Sequence, residues 1–324
     1  MNRRSVLRGT AGAALLGPLA APALRAQSFD RPLRLIVPNA PGGTSDILAR
    51  LTAPELSRIV GQPVVVENRA GAGGNIGADV VAKSAPDGHT ILLMDVTTIA
   101  TNPALFPRLS FKQQDLAPVS MLVYAPYIMG VANNLPIRDG AALEAYAKAN
   151  PGALNAANSG SGTASHLLMV QLAQAWNTQM THVPYRGGAP ALLAVSTGEA
   201  GVTVAGATQS QPFAVNNQMR AVAVTGDARF ATLPAVPTFR ELGWPGTEAG
   251  TWQGLMVRAG TPAATVARLH EAAREIVAIP AIAARLRDLA AVGRTDGPGP
   301  FAEWLSTQTA LYTQLIRDNN ITAE

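Results

Sequence analysis

Short apolar, β-branched runs alternate along this chain with segments whose apolar residues recur at helical spacing. Leu33–Val37 reads as a compact buried strand that runs into a glycine-bearing turn. Over Ser45–Val60, Leu48, Leu51, Leu56 and Ile59 fall roughly on one helical face. Pro54 lies inside that segment, and its missing N–H predicts a kink or a break there. Val64–Val66 predicts the next strand, followed by Gly71–Gly77, a helix through Val80 and a third strand at Thr90–Met94. Strand, loop, helix, strand is the order of a parallel α/β sheet.

Met121–Val131 is mostly apolar and interrupted by Pro126, as expected of a strand that leaves one sheet and enters another. The alternation then restarts. Ala141–Ala149, Ala164–Trp176 and Ala189–Thr197 read as helices, and Val202–Ala205 and Ala221–Thr225 as strands. Turn-rich residues lead to a strand at Thr251–Val257. Thr261 is placed to cap a helix with Pro262 at its first position. Pro280 starts another helix, and Phe301–Ile316 is a final amphipathic one. The expected fold is therefore α/β, with two lobes and a cleft between them. Residues 28–124 plus 228–324 are expected to form the first lobe and residues 125–227 the second, with hinges near Val123–Ala125 and Thr225–Ala228.

Charge changes the picture at the N-terminus. The chain carries 25 Lys and Arg against 21 Asp and Glu, and four of the Arg (Arg3, Arg4, Arg8, Arg25) lie in the first 27 positions, which hold no acid. The remainder is neutral, with no basic stripe, which argues against nucleic-acid binding or an anionic membrane surface as the main activity. Paired Arg, the apolar stretch Ala11–Ala23 and small residues at an exit site read as an export signal over residues 1–26, of twin-arginine type. That stretch is too short to span a bilayer, so a direct membrane anchor is not expected. With no cysteine, the chain has no disulfide, thiolate metal site or cysteine nucleophile. The four His lack metal-ligand spacing, and neither a metal nor a cofactor is expected.

Two loops have the composition of anion sites. Asn39-Ala40-Pro41-Gly42-Gly43-Thr44-Ser45-Asp46 follows a strand and opens a helix, and Ser159-Gly160-Ser161-Gly162-Thr163-Ala164-Ser165-His166 does the same in the second half. The first helical N–H groups lack internal partners and carry partial positive charge, and the hydroxyls add donors. Asp46 reads as a cap, since it would repel an acid. Each loop read alone is equally a Ser/Thr-capped helix start; one in each half favours a ligand held from both sides. Glu67–Gly77 fails a dinucleotide fingerprint, since Ile76 stands where its third glycine should be, and reads as a loop lining or bracing the cleft. His166 beside Ser159, Ser161 and Ser165 raises a Ser/His hydrolase or isomerase as the rival, but no Gly-x-Ser-x-Gly elbow is present. Tyr185 is placed to wall a pocket.

Several segments in consistent order resemble the extracytoplasmic substrate-binding subunits of tripartite tricarboxylate transporters, the Bug family. They include Val37–Arg50, Gly61–Arg69, Gly71–Gly77, Ala85–Gly88, Gly160–His166, His182–Gly187, Leu233–Thr238 and Ala259–Pro262. The resemblance implies a two-lobed periplasmic-binding-protein fold of the second type. It implies a non-catalytic periplasmic receptor, expected to be a monomer, that delivers a small organic acid to a membrane permease. A ligand-sensing partner of a two-component kinase is the further alternative. The ligand-holding positions carried over are Asn39, Ala40, Pro41, Gly43, Thr44 and Ser45 from one lobe, Ser159, Ser161, Gly162, Thr163, Ser165, His166 and Tyr185 from the other, and Thr97 and Thr98 past the third strand. Where many members carry an acid after the strand matched by Val202–Ala205, this chain has Gly206-Ala207-Thr208. That absence disfavours an amino acid and leaves a plain carboxylate expected.

Overall fold

The computed structural model describes residues 29–106 and 108–322, so the expected export signal over residues 1–26 lies outside the described residues. The elements run β1 (Leu33–Val37), α1 (Thr44–Val60), β2 (Val64–Asn68), α2 (Asn75–Ala82), β3 (Thr90–Asp95), α3 (Thr97–Leu105) and β4 (Leu116–Val131). They continue with α4 (Gly140–Ala149), β5 (Asn155–Asn158), α5 (Ala164–Ala175), β6 (Thr181–Pro184), α6 (Gly188–Thr197), β7 (Val202–Gly206), α7 (Ala207–Val215) and β8 (Arg220–Val224). Then come β9 (Gly250–Arg258), α8 (Ala263–Ala278), α9 (Pro280–Asp288), β10 (Val292–Gly293) and α10 (Pro298–Asp318).

The strands follow the order β2-β1-β3-β9-β4-β7-β5-β6, with β8 and β10 also paired to β4. β1 is parallel to β2 and β3, and β5 is parallel to β6 and β7, while β9 and β4 are antiparallel to their neighbours. The 16-residue β4 belongs to two sheets. Its first part, through Pro126, pairs with β9; from Tyr127 onward it pairs with β7. Proline cannot donate to a ladder, and Pro126 sits at the hand-over, where the pairing partner changes.

Period-2 alternation builds a core on both faces of each sheet. In the first lobe Leu33, Leu35, Val37, Ile91 and Leu93 pack against α1 and α8. Ile36, Leu92 and Met94 point the other way, among residues of α2 and α10. In the second lobe Tyr127, Met129, Val131, Val202 and Val204 share one cluster, and Ile128 and Ala205 the opposite one.

Three local expectations change. α1 runs unbroken through Pro54. Pro54 is exposed, and burial of Leu48, Ala49, Thr52, Ala53 and Leu56 on the opposite side outweighs one missing hydrogen bond. α8 starts at Ala263 with Pro262 as its cap residue, and the Thr261 hydroxyl instead donates to the Arg258 carbonyl at 2.7 Å. The segment 228–249, expected in the first lobe, packs on the second. Phe230, Leu233 and Val236 lie against one of that lobe's clusters and Phe239, Leu242, Trp244 and Ala249 against the other. The chain thus re-enters the first sheet at Gly250, opposite Pro126.

Phe239 is fully buried and packs edge-on to Trp244, with ring centroids 5.1 Å apart. Phe239→Ala is expected to cost about 3–5 kcal/mol, read as a lower urea midpoint at unchanged slope. A loss below about 1 kcal/mol would show that this segment is no part of the second core.

Candidate functional site

The carboxyl ends of parallel strands from both lobes point at one cleft of about 840 Å³. That is within the size range of small-molecule sites, and strand carboxyl ends are where open α/β sheets place ligands. The loops after β1, β2 and β3 line it from one side and those after β5, β6 and β7 from the other.

The first loop contributes Asn39, Ala40, Pro41, Gly43, Thr44 and Ser45, and α3 contributes Thr98. Asp46 stays out of the lining. Its carboxylate accepts from the Gly42 N–H at 3.0 Å, from Asn68 at 2.9 Å and from Arg50 Nε at 3.1 Å, bracing the loop from behind. The helix start itself is left open: Gly43 is the cap residue of α1 and no side chain caps it. The Ser45 hydroxyl has no protein partner among the described residues.

From the second lobe come Ser159, Ser161, Thr163, Ser165 and Tyr185. Three hydroxyls form a ring, with Ser159 Oγ 2.9 Å from Ser165 Oγ and Thr163 Oγ1 3.1 Å from Ser165 Oγ and 3.2 Å from Ser159 Oγ. Thr163 Oγ1 also donates to the Gly160 carbonyl at 2.8 Å. The α5 start has no side-chain cap, and neither does α6, whose Gly188, Ala189, Pro190 and Ala191 also border the cleft. By contrast α4, away from the cleft, is capped by Asp139, which accepts from the Ala142 N–H at 2.8 Å.

Thr97, Gly162 and His166 do not line the cleft. Thr97 is turned inward, its hydroxyl donating to Asp95 at 2.6 Å. Gly162 adopts φ +71°, and a Cβ there would run into the Leu105 side chain of α3. The Gly162 N–H donates to His166 Nδ1 at 2.9 Å, and the His166 ring packs edge-on to His182 with centroids 4.7 Å apart. Burial, with His182 close by, holds His166 down to about 4, so it is neutral at physiological pH. Among the described residues no hydrogen bond joins it to Ser159, Ser161 or Ser165. The geometry needed for a Ser/His nucleophile is absent there.

Sequence reasoning missed Asp95, Gln209, Thr251 and Gln253, which also line the cleft. Asp95 ends β3, and nothing in its local pattern marks it as a cleft residue. One of its oxygens, Oδ1, accepts from the Thr97 N–H at 3.1 Å, the Thr97 hydroxyl at 2.6 Å and the Trp252 N–H at 3.3 Å. Burial outweighs those bonds and pushes the carboxyl from 3.8 up to about 6. Because the folded value lies above the unfolded one, Asp95 favours folding at low pH, and that contribution is lost as pH rises through about 6. The ionised group then costs the fold on the order of 3 kcal/mol. Asp95→Asn keeps the Oδ1 acceptor and removes the charge. It is expected to melt higher than wild type at pH 8, by roughly 2–4 °C per kcal/mol regained, with the two curves converging near pH 4. Equal melting temperatures at pH 8 would contradict this reading of Asp95.

Comparison with known proteins agrees with this architecture. The family model described as "Tripartite tricarboxylate transporter family receptor" matches residues 48–294. The protein BugT of Bordetella pertussis is 38% identical over 237 residues, covering 71% of this chain and 72% of that protein. An R. palustris protein solved with adipate superposes with a TM-score of 0.85 at 30% identity, covering 90% of this chain and 98% of that one. MatC from Rhodopseudomonas palustris, solved with bound malate, gives 0.80 at 30% identity, with 89% and 99% covered. No helix among the described residues is long and apolar enough to cross a membrane. On the family match and these likenesses, the chain belongs to the tripartite tricarboxylate transporter receptor family, a family of substrate-binding proteins rather than enzymes.

Proposed function

We propose that this protein is a periplasmic receptor that captures one small organic carboxylate between its lobes and delivers it to the membrane permease of a tripartite transporter. The observation that carries this reading is the set of open helix starts, of α1, α5 and α6, bordering one cleft from opposite lobes. Unpaired N–H groups at a helix start attract anions, and the free hydroxyls of Ser45, Thr98 and Ser161 supply further donors. The similar proteins solved with malate and adipate hold ligands of this chemistry. Residues 1–26 serve as the signal that carries the chain out of the cytoplasm, and the receptor acts as a monomer.

In this reading the ligand-holding residues are Asn39, Ala40, Pro41, Gly43, Thr44, Ser45 and Thr98 from the first lobe and Ser159, Ser161, Thr163, Ser165 and Tyr185 from the second. Closing the lobes excludes water and strengthens these mostly neutral hydrogen bonds. Leu105 of α3, Leu167 of α5 and Ile316 of α10 share one buried apolar cluster that joins the two lobes.

Thermal unfolding against a panel of mono-, di- and tricarboxylates tests the function directly. A ligand at about 100 times its dissociation constant adds roughly 2.7 kcal/mol, and the acid is recovered unchanged. An acid consumed in the assay would overturn the receptor reading. Ser45→Ala and Ser161→Ala are each expected to weaken binding by about 1 kcal/mol, read by calorimetry, with apo melting unchanged. Gly162→Val forces a side chain onto Leu105 from a left-handed backbone, so binding is expected to be lost and melting lowered. Full affinity in that variant would show that the α5 loop is not part of the site.

A further inference from the structure

Asp95 and Gln253 stand opposite each other in the antiparallel pairing of β3 with β9, so their side chains lie side by side on one face of the sheet. Both line the cleft. Asp95 Oδ1 is saturated by its three protein donors, and Oδ2 has no partner among the described residues. Gln253 is 1% exposed, and its carboxamide oxygen is buried without a donor. The hydroxyl oxygens of Thr44, at the start of α1, and Thr251, at the start of β9, both beside Gly206, are buried and unpartnered as well. Buried polar atoms are normally satisfied; the carboxamide oxygen and Oδ2 are acceptors only, and each hydroxyl accepts as well as donates, so a donor group satisfies any of the four.

The charge balance says which donor. Among the residues lining the cleft only Asp95 and Arg186 carry charge, and Arg186 is exposed on the turn after β6 with no ion-pair partner among the described residues. The titratable groups that face Asp95 are two phenols, Tyr127 of β4 and Tyr312 of α10, both pushed upward by burial and by the nearby carboxylate. Neither supplies a positive charge. A partly buried carboxylate with no cation beside it is costly. It would also repel a ligand offering only carboxylates, whereas an ammonium group would supply both the missing charge and the missing N–H donors.

Building on the receptor reading above, we infer that the ligand is an amino-carboxylate, its ammonium held by Asp95 Oδ2 and the Gln253 carboxamide oxygen and its carboxylate by the open helix starts. The carboxylate at the end of β3 thus reverses the expectation that an amino acid is disfavoured. Protonation of Asp95 removes the ammonium's counter-charge, so binding weakens as pH falls through about 6.

The test is calorimetric titration with matched pairs that differ only by the amine: L-glutamate with glutarate, L-aspartate with succinate, and 4-aminobutyrate with butyrate. At pH 8 at least one amine-bearing member is expected to bind tenfold or more tighter than its partner. That preference is expected to collapse at pH 5 and in Asp95→Asn. The wild-type comparison needs no variant, so it stands even where Asp95→Asn folds poorly. No amine-bearing member binding more tightly than its partner at pH 8, or a preference unchanged in Asp95→Asn, would overturn the ammonium assignment and leave the carboxylate receptor intact. Failure of both members of all three pairs and of every acid in the carboxylate panel would overturn the two readings together.

Discussion

The molecule depends on one strand belonging to two sheets. β4 gives its first part to the sheet of the first lobe and its last residues to that of the second, changing partner between Pro126 and Tyr127. A second tie lies beside it. The buried Thr225 hydroxyl accepts from the Tyr127 N–H at 2.7 Å and donates to the Ala249 carbonyl at 2.5 Å. The two crossings between lobes thus lie side by side, paired where Ala125 meets Thr251 and Pro126 meets Gly250.

The cleft follows from that arrangement. Parallel strands in each lobe end on the same side, and each of the loops that follow opens a helix. The loops after β1, β5 and β6 therefore bring helix starts to a common space, and each start is left without a side-chain cap. Residues that could have capped them are engaged elsewhere. Asp46 is tied to Gly42, Asn68 and Arg50, and Thr163 bonds its own loop. The donors remain available for a guest because the side chains that would compete for them have other partners.

Donors for an anion are only half of the cleft's character. Its floor, where β3 meets β9, carries a carboxylate and a carboxamide oxygen instead, so the cleft is polarised from helix starts to strand ends. A ligand with two ends of opposite character matches this better than one with two like ends. The same polarity makes the empty fold less stable above the titration of Asp95, a cost that a suitable ligand removes.

Much of this was legible in the residues. Apolar runs marked β1 and β3, helical spacing marked α1, the Thr261-Pro262 start marked α8, and Met121–Val131 read as a strand shared between sheets. The two Gly/Ser/Thr loops, which both border the cleft, were legible as candidate ligand loops because hydroxyls and glycines before a helix start have local meaning. β5, with the sequence Asn-Ala-Ala-Asn, and the short helices α3 and α7 carried too little apolar signal to stand out. Segment 228–249 gave no sign of its lobe, since Phe239 and Trp244 find their partners only across the fold. His166 and Thr97 stood among the ligand positions that the family resemblance implies, yet packing against His182 and bonding to Asp95 turned them inward. Sequence determined the elements and the donors, because both rest on short-range pattern. Tertiary structure alone decided which side of the cleft carries charge, because Asp95 and Gln253 lie far apart in the chain and become neighbours only through strand pairing.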